Sequence, residues 1–207
     1  MILGTGGQGR ECLDIAQAMA EDGADLTVAG FLDDQPTAAN RELVERRGYP
    51  IMGTLETFLK SPRRAAVCIG IGSGEIRARI DDHLRLQGIP SPVLVHPSVT
   101  LGSAVVLGPG TVLWAGVRLT TNIRIGRHVH LNQNVTIGHD VVLEDFVSVN
   151  PVAAISGHVR LGAASTVGAG AVVLQGLQVG SRAIVGAGGV VVRAVSPHAT
   201  VKGVPAK

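Results

Sequence analysis

Beginning at Val95, every sixth residue is aliphatic as far as Val191, seventeen consecutive positions without exception or insertion. A period of six is neither the 3.6 of a helix nor the 2 of an ordinary strand; it is the repeat of a parallel β-helix. The fourth residue after each aliphatic is usually apolar as well, as at Val99, Val105, Val117 and Ile123. Two inward residues per hexad therefore stack in ladders, each coil covering what the previous one leaves bare. Three hexads per coil predict 18 residues per turn and a little over five coils. The residue directly after the aliphatic is often glycine (Gly102, Gly108, Gly126, Gly138), read here as relief for unusual backbone at a corner.

Upstream of residue 90 the pattern changes. Cys12, Ile15, Ala16 and Met19 recur at helical spacing within 8–22, and Ile76, Ile80 and Leu84 do so within 74–87. Short apolar runs at 26–32 and 65–71, with the stub Met1-Ile2-Leu3, predict buried strands, and a further helix is expected around 40–47. The order β-α-β-(loop/helix)-β-α predicts a small open parallel sheet of Rossmann type. Gly88-Ile89-Pro90-Ser91-Pro92 is a stiff connector. Two domains are expected, 1–89 and 95–207.

Composition narrows the possibilities. The formal charge is +2 with no long basic run, which argues against nucleic acid or a membrane surface as partner. No stretch is long and apolar enough to span a bilayer. The start lacks the basic and apolar segments of a signal peptide, so a cytoplasmic location is expected. Cys12 and Cys68 show no metal or disulfide spacing and are expected to be buried thiols.

Gly4-Thr5-Gly6-Gly7-Gln8-Gly9 follows a short apolar strand and opens a helix, where glycines let a phosphate approach backbone N–H groups. Asp33-Asp34 end the second strand, where carboxylates can accept from a ribose or a base. Gly72, Glu75 and Arg77 sit at the next strand-to-helix turn; Arg77 either meets a phosphate or is solvated on the helix surface. At roughly 90 residues this part lacks the second mononucleotide unit of a full dinucleotide fold, so NAD is disfavoured.

Most turns of the hexad array carry Gly, Ala, Pro or Ser. The exception runs from Asn132-Gln133-Asn134 to Gly138-His139-Asp140. An imidazole there can take a proton near neutral pH, and an adjacent carboxylate can fix its tautomer. The alternative is an ordinary exposed corner histidine. One coil of 18 places Gly157 beside His139 and His158 beside Asp140. Gly157 N–H can polarise a carbonyl, and His158 is either a rival base or part of the same network. A zinc site from His128, His130 and His139 is disfavoured because 128 and 139 are not one coil apart, and no metal is expected. Arg182, Arg193 or Lys202 can meet the phosphates of a CoA.

The glycine motif, Phe31-Leu32-Asp33-Asp34, Ile71-Gly72 with Ile76-Arg77, His96-Pro97-Ser98, Gly138-His139-Asp140 and the terminal Gly203-Val204-Pro205-Ala206-Lys207 together resemble one family. These are the sugar O-/N-acyltransferases related to sialic acid O-acetyltransferases and UDP-4-amino-sugar N-acetyltransferases. The resemblance implies an α/β Rossmann-like nucleotide-sugar domain followed by a left-handed parallel β-helix, assembled as a homotrimer with acetyl-CoA in the groove between adjacent helices. It implies an enzyme of cell-surface polysaccharide biosynthesis that acetylates the 4-amino group of a UDP-linked sugar, with a sugar hydroxyl as the alternative acceptor. A non-catalytic nucleotide-sugar scaffold is the alternative from another class. By resemblance His139 is the general base, Asp140 tunes it, Asn132 lies near the acceptor, and Gly157 N–H meets the thioester carbonyl. Gly6, Gly7, Gln8, Asp33, Asp34, Gly72 and Glu75 contact the nucleotide sugar, and Ala169 and Ala187 line the CoA groove. Gln8 departs from the family's usual His, and Ser148 stands where some members carry a second His near the thioester.

Overall fold

The computed structural model describes residues 1–61 and 65–207. Strands β1 (Ile2–Leu3), β2 (Phe31–Leu32) and β3 (Cys68–Ile69) form a parallel sheet in the order β2-β1-β3. Helix α1 (Gly7–Glu21) follows β1, α2 (Ala38–Glu45) and α3 (Leu55–Lys60) lie between β2 and β3, and α4 (Gly74–Leu86) follows β3. The predicted α/β order is present, though the strands pair over only two residues each. Thr37, Thr54 and Ser73 side chains cap α2, α3 and α4, satisfying N–H groups that a helix start leaves open. α3 lies outside the predicted helices; at six residues it is too short for a hydrophobic period to announce it. No helix among the described residues is long and apolar enough to cross a membrane.

From Leu94 onward the chain winds as a left-handed parallel β-helix. Its short strands stack in sheets of seven, six and five, which form the three faces of a prism. Register is fixed at 18 residues: His130 pairs with Ser148 on the first face, Thr136 with Ala154 on the second, Val142 with Arg160 on the third. The predicted aliphatic ladder fills the interior, with Leu131, Val149 and Val167 fully buried. The array extends past Val191 by a shortened coil, in which Ile184 pairs with Thr200.

The glycines after the aliphatics serve a different purpose from the one expected. Every sixth residue from Ala104 to Gly188 has a positive φ, between 48° and 75°, and these are the residues three beyond the aliphatic. Asn122, His128, Asn134, Asp140 and His158 are among them, types that tolerate the left-handed region. Glycines such as Gly102 and Gly138 instead leave room for the next coil: a Cβ would lie 1.9 Å from Thr120 O and 2.6 Å from Gly157 N.

The α/β layer covers the first face. Ile2, Leu13, Phe31 and Val44 share a core with Leu94, Val112 and Trp114 of the β-helix. Helix α4 follows its apolar pattern only in part: Leu84 is buried and Ile80 half-buried, but Ile76 is 37% exposed while Arg77 and Asp81 are buried. The Arg77 guanidinium reaches across the junction. It donates to Ile71 O and Gly72 O on its own side, and to His128 O, Phe146 O, Val147 O and Ser148 Oγ of the β-helix. Burial lowers its pKa to about 9, so it stays charged at neutral pH. Beside it, Asp81 takes two bonds from Arg127 at 2.9 and 2.7 Å and lies 2.9 Å from His128 Nε2. Burial alone would raise the Asp81 pKa, but these partners outweigh it and hold the group below the usual range. Losing Arg77 strands several buried carbonyls, each costing about 1–3 kcal/mol. Arg77→Ala should therefore lose at least about 3 kcal/mol in denaturant unfolding; a loss under about 1 kcal/mol would show that the junction does not depend on it.

Candidate functional site

Two polar features stand apart on the molecule. The first is a cleft of about 900 Å³ at the carboxyl ends of β1, β2 and β3, bounded by Gly6, Gly7, Gln8, Asp33, Asp34 and Gly72 among others. The glycines divide their tasks. A Cβ on Gly9 would lie 1.9 Å from Gly4 O, so that glycine is needed for packing, whereas Gly6 and Gly7 face open space. No side chain caps the start of α1, leaving its first N–H groups turned to the cleft. Asp33 accepts from Thr5 N and Thr5 Oγ1 at 2.8 and 2.6 Å and from Gln35 N at 3.0 Å. Half-burial raises its pKa, but the two Thr5 bonds and that from Gln35 prevail and lower it overall. Asp34 accepts from Leu55 N, which anchors the start of α3 at the cleft rim. Gln8 Nε2 lies 3.0 Å from Nδ1 of the fully buried His130, so this departure from the family pattern ties the cleft to the β-helix.

Two residues assigned to the nucleotide sugar lie elsewhere. Arg77 is neither on a phosphate nor solvated, because carbonyls and the Ser148 hydroxyl take its donors. Glu75 turns away from the cleft and faces Arg182 at 3.4 Å across a second groove. The cleft's cation comes instead from Arg79, which with His83 shares a face of α4 with Ile76 and Ile80. Their spacing of three and four was visible in the sequence, but Ile76 and Ile80 made that stripe look like the buried face.

The second feature lies on the edge between the second and third faces of the β-helix. Coil register stacks Thr121, His139 and Gly157 in one column and Asn122, Asp140 and His158 in the next. His139 Nδ1 is 2.7 Å from Asp140 Oδ2, and Asn122 Nδ2 donates to Asp140 Oδ1 at 2.5 Å. The Asn122 bond, followed by that from His139, holds Asp140 below the usual carboxylate range. In the neutral ring, a hydrogen bond to this carboxylate selects the tautomer with its proton on Nδ1 and its lone pair on Nε2. The His139 side chain is 47% exposed. His158 stands edge-on to His139, ring centroids 4.9 Å apart, with Nε2 3.5 Å from Asp140 Oδ2. It belongs to the same network, one of the two readings the sequence left open. Gly157 N–H makes no hydrogen bond among the described residues. Asn122 went unremarked in the sequence, although it lies one coil before Asp140.

The other assignments divide between two places. Asn132 is nearly buried, and its amide donates to Val149 O at 2.9 Å. Ala169, Ala187 and Lys202 lie along the edge between the first and second faces, with Lys202 over Gly186. Ser148 does not face a groove: it is 5% exposed, accepts from Arg77 and donates to Gly72 O at 3.1 Å. His128 and His130 are both fully buried beneath the α/β layer, so they cannot join His139 around a metal. The donor atoms that do converge are those of His139, Asp140 and His158, within 4.8 Å of one another.

Comparison with known proteins agrees with this architecture. Residues 1–84 match the family described as the PglD N-terminal domain. A histidine-to-asparagine mutant of perosamine N-acetyltransferase from Caulobacter crescentus, solved with CoA and GDP-perosamine, superposes with a TM-score of 0.90 at 30% identity, covering 100% of this chain and 94% of that one. The acetyltransferase domain of PglB from Neisseria gonorrhoeae, with acetyl coenzyme A, gives 0.85 at 30% identity, covering 100% and 96%. WeeI from Acinetobacter baumannii gives 0.85 at 28%, covering 100% and 97%. No curated protein sequence matches the chain significantly. The chain belongs to the hexapeptide-repeat sugar N-acetyltransferases and is an acyltransferase.

A Cβ on residue 157 would lie 2.6 Å from both Cε1 and Nε2 of His139. Gly157→Ala should therefore displace the imidazole and lower acetyl transfer by at least about 10²-fold with little change in melting temperature. Near-normal activity in that variant would show that the ring's position is not critical.

Proposed function

We propose that this protein transfers the acetyl group of acetyl-CoA to the 4-amino group of a nucleotide-linked amino-deoxy-sugar, with His139 as general base. The observation that carries this is the His139–Asp140 pair, held by Asn122 on an exposed edge with Nε2 unengaged. The amine nitrogen attacks the thioester carbonyl carbon while its proton passes to His139 Nε2. Asp140 fixes the tautomer and stabilises the imidazolium. Gly157 N–H meets the carbonyl oxygen as it becomes an oxyanion. Collapse of the tetrahedral intermediate expels the CoA thiolate, and the imidazolium returns the proton to sulfur.

The cleft of the α/β layer takes the nucleotide. The α1 N-terminus and Arg79 suit its phosphates, and Asp33 and Asp34 suit hydroxyl or imino donors. Uridine is our first candidate base; the relative solved with GDP-perosamine favours guanosine as the alternative. Support for acetyl-CoA comes from the relatives solved with CoA and acetyl coenzyme A. Both small molecules fit a cytoplasmic enzyme.

The two features cannot meet within one chain. The α/β layer covers the first face, and His139 occupies the opposite edge of the prism. Ala169, Ala187 and Lys202 lie on a third location, another edge. A homotrimer resolves this by setting an edge of one chain against a neighbour, so that a sugar held by one subunit meets the imidazole of another and CoA lies between them. Exposed Leu174 (43%) and Val192 (46%), beside the second face, fit burial in such an assembly.

His139→Ala should lower kcat/KM by about 10²–10⁴-fold without loss of assembly; unchanged kcat/KM with every acceptor tried would refute the base assignment. Thermal-shift titration with UDP- and GDP-linked 4-amino-sugars should stabilise the protein with one of them, and the product should be an amide rather than an ester. An ester as the sole product would replace the amine by a hydroxyl acceptor.

A further inference from the structure

The edge that carries His139 places a second imidazole where proton transfer does not need one. His158 is 56% exposed and takes no part in the mechanism above, yet it shares Asp140 with His139. Asn122 occupies Asp140 Oδ1, so Oδ2 is the oxygen that both rings approach, at 2.7 Å from His139 Nδ1 and 3.5 Å from His158 Nε2. Two imidazole nitrogens and one carboxylate oxygen thus lie within 4.8 Å of one another on an edge open to solvent. They come from adjacent coils whose spacing is locked: His158 N donates to His139 O at 2.8 Å, and Asp140 and His158 hold φ of 59° and 57°.

This donor set matches the coordination chemistry of a borderline dication. Zinc takes imidazole nitrogen and carboxylate oxygen at about 2.0–2.2 Å and is commonly bound by two histidines and one carboxylate with a fourth position open. Donors on a tetrahedral zinc lie about 3.3 Å apart. The His158–Asp140 separation of 3.5 Å is close to that value, the His139–Asp140 separation of 2.7 Å is shorter, and all three donors lie within 4.8 Å, so rotation of the two exposed imidazoles brings them to it. We propose that His139, Asp140 and His158 form a Zn²⁺ site, and that occupancy switches the acetyltransferase off.

The switching half rests on His139 being the general base. A neutral imidazole has one N–H. When zinc takes the Nδ1 lone pair, the ring proton moves to Nε2, and no proton need leave the ring. Nε2 then has no lone pair to accept the amine proton, so the metal and the attacking amine compete for opposite tautomers of one ring. Asp140 loses its hydrogen bond to Nδ1–H and becomes a ligand in exchange.

The test is a Co²⁺ titration of the chelator-treated protein, read by its visible ligand-field bands, followed by displacement with Zn²⁺. His158→Asn serves as the control variant because Asn tolerates the left-handed backbone there. A tetrahedral band with one Co²⁺ per chain is expected, with affinity weaker by about tenfold or more in the variant. Zn²⁺ at the chain concentration should suppress acetyl transfer reversibly, and the variant should need about tenfold more. No band, or equal bands and affinities in the two proteins, would overturn the site. Zinc bound at this edge with transfer undiminished would overturn the switch. If no amino-sugar is acetylated by the metal-free protein, the functional reading fails by itself, and the cobalt titration still decides the site.

Discussion

Everything in this molecule depends on the constancy of an 18-residue coil. Because parallel strands pair residue for residue with the coil below, two β-helix positions 18 apart share a face or edge and stack directly, one strand spacing of about 4.8 Å apart. Side chains far apart in sequence become neighbours without a loop having to hold them. Asn122, Asp140 and His158 form one such column, and His139 and Gly157 belong to the next. Close approach of coils sets the terms: glycine at Gly138 and Gly157 is required by the next backbone or by the imidazole itself. A catalytic group mounted this way is rigid, since moving it means breaking ladder hydrogen bonds on both sides.

The second constraint is the junction with the α/β layer. Its buried cation and acid are unusual for a helix face, and they matter because the carbonyls of His128 and Phe146, near a prism corner, accept from no backbone N–H among the described residues. Arg77 donates to both, and also to Val147 O, which already accepts from His130 N, while Asp81 joins Arg127 and His128 to α4. The result fixes the cleft on one face while His139 stands on the opposite edge. Geometry within one chain therefore separates the cleft proposed to hold a nucleotide from the imidazole proposed to move a proton, and assembly is what brings them together in the proposed mechanism.

Much of this was legible before any coordinates. The hexad ladder foretold the coil length, and addition of 18 paired His139 with Gly157 and Asp140 with His158. The glycine motif and Asp33-Asp34 marked the cleft. What stayed hidden shares one physical cause: hydrophobic periodicity reports apolar burial and is silent about polar burial. In α4 the Ile76–Ile80 stripe pointed to a core face, but those residues line the cleft, while Arg77 and Asp81 go inward because the β-helix offers partners there. Ser148 was placed near the thioester by resemblance alone; in the structure it lies on the first face, where the α/β layer covers it and Arg77 and Gly72 O take its hydroxyl. The corner glycines were assigned to dihedral freedom when the need was space, a distinction that requires the neighbouring coil.

The composite site is tested most directly by pairing two inactive variants. His139→Ala keeps the cleft and lacks the base; Gly7→Asp keeps the base and sets a carboxylate where the nucleotide phosphates would meet the start of α1. Each should be inactive alone. Co-assembled from unfolded or co-expressed chains, they should regain acetyl transfer, because some interfaces then join an intact cleft to an intact imidazole of another chain. Mixed assemblies that form, retain nucleotide-sugar binding and remain as inactive as either parent would contradict the account.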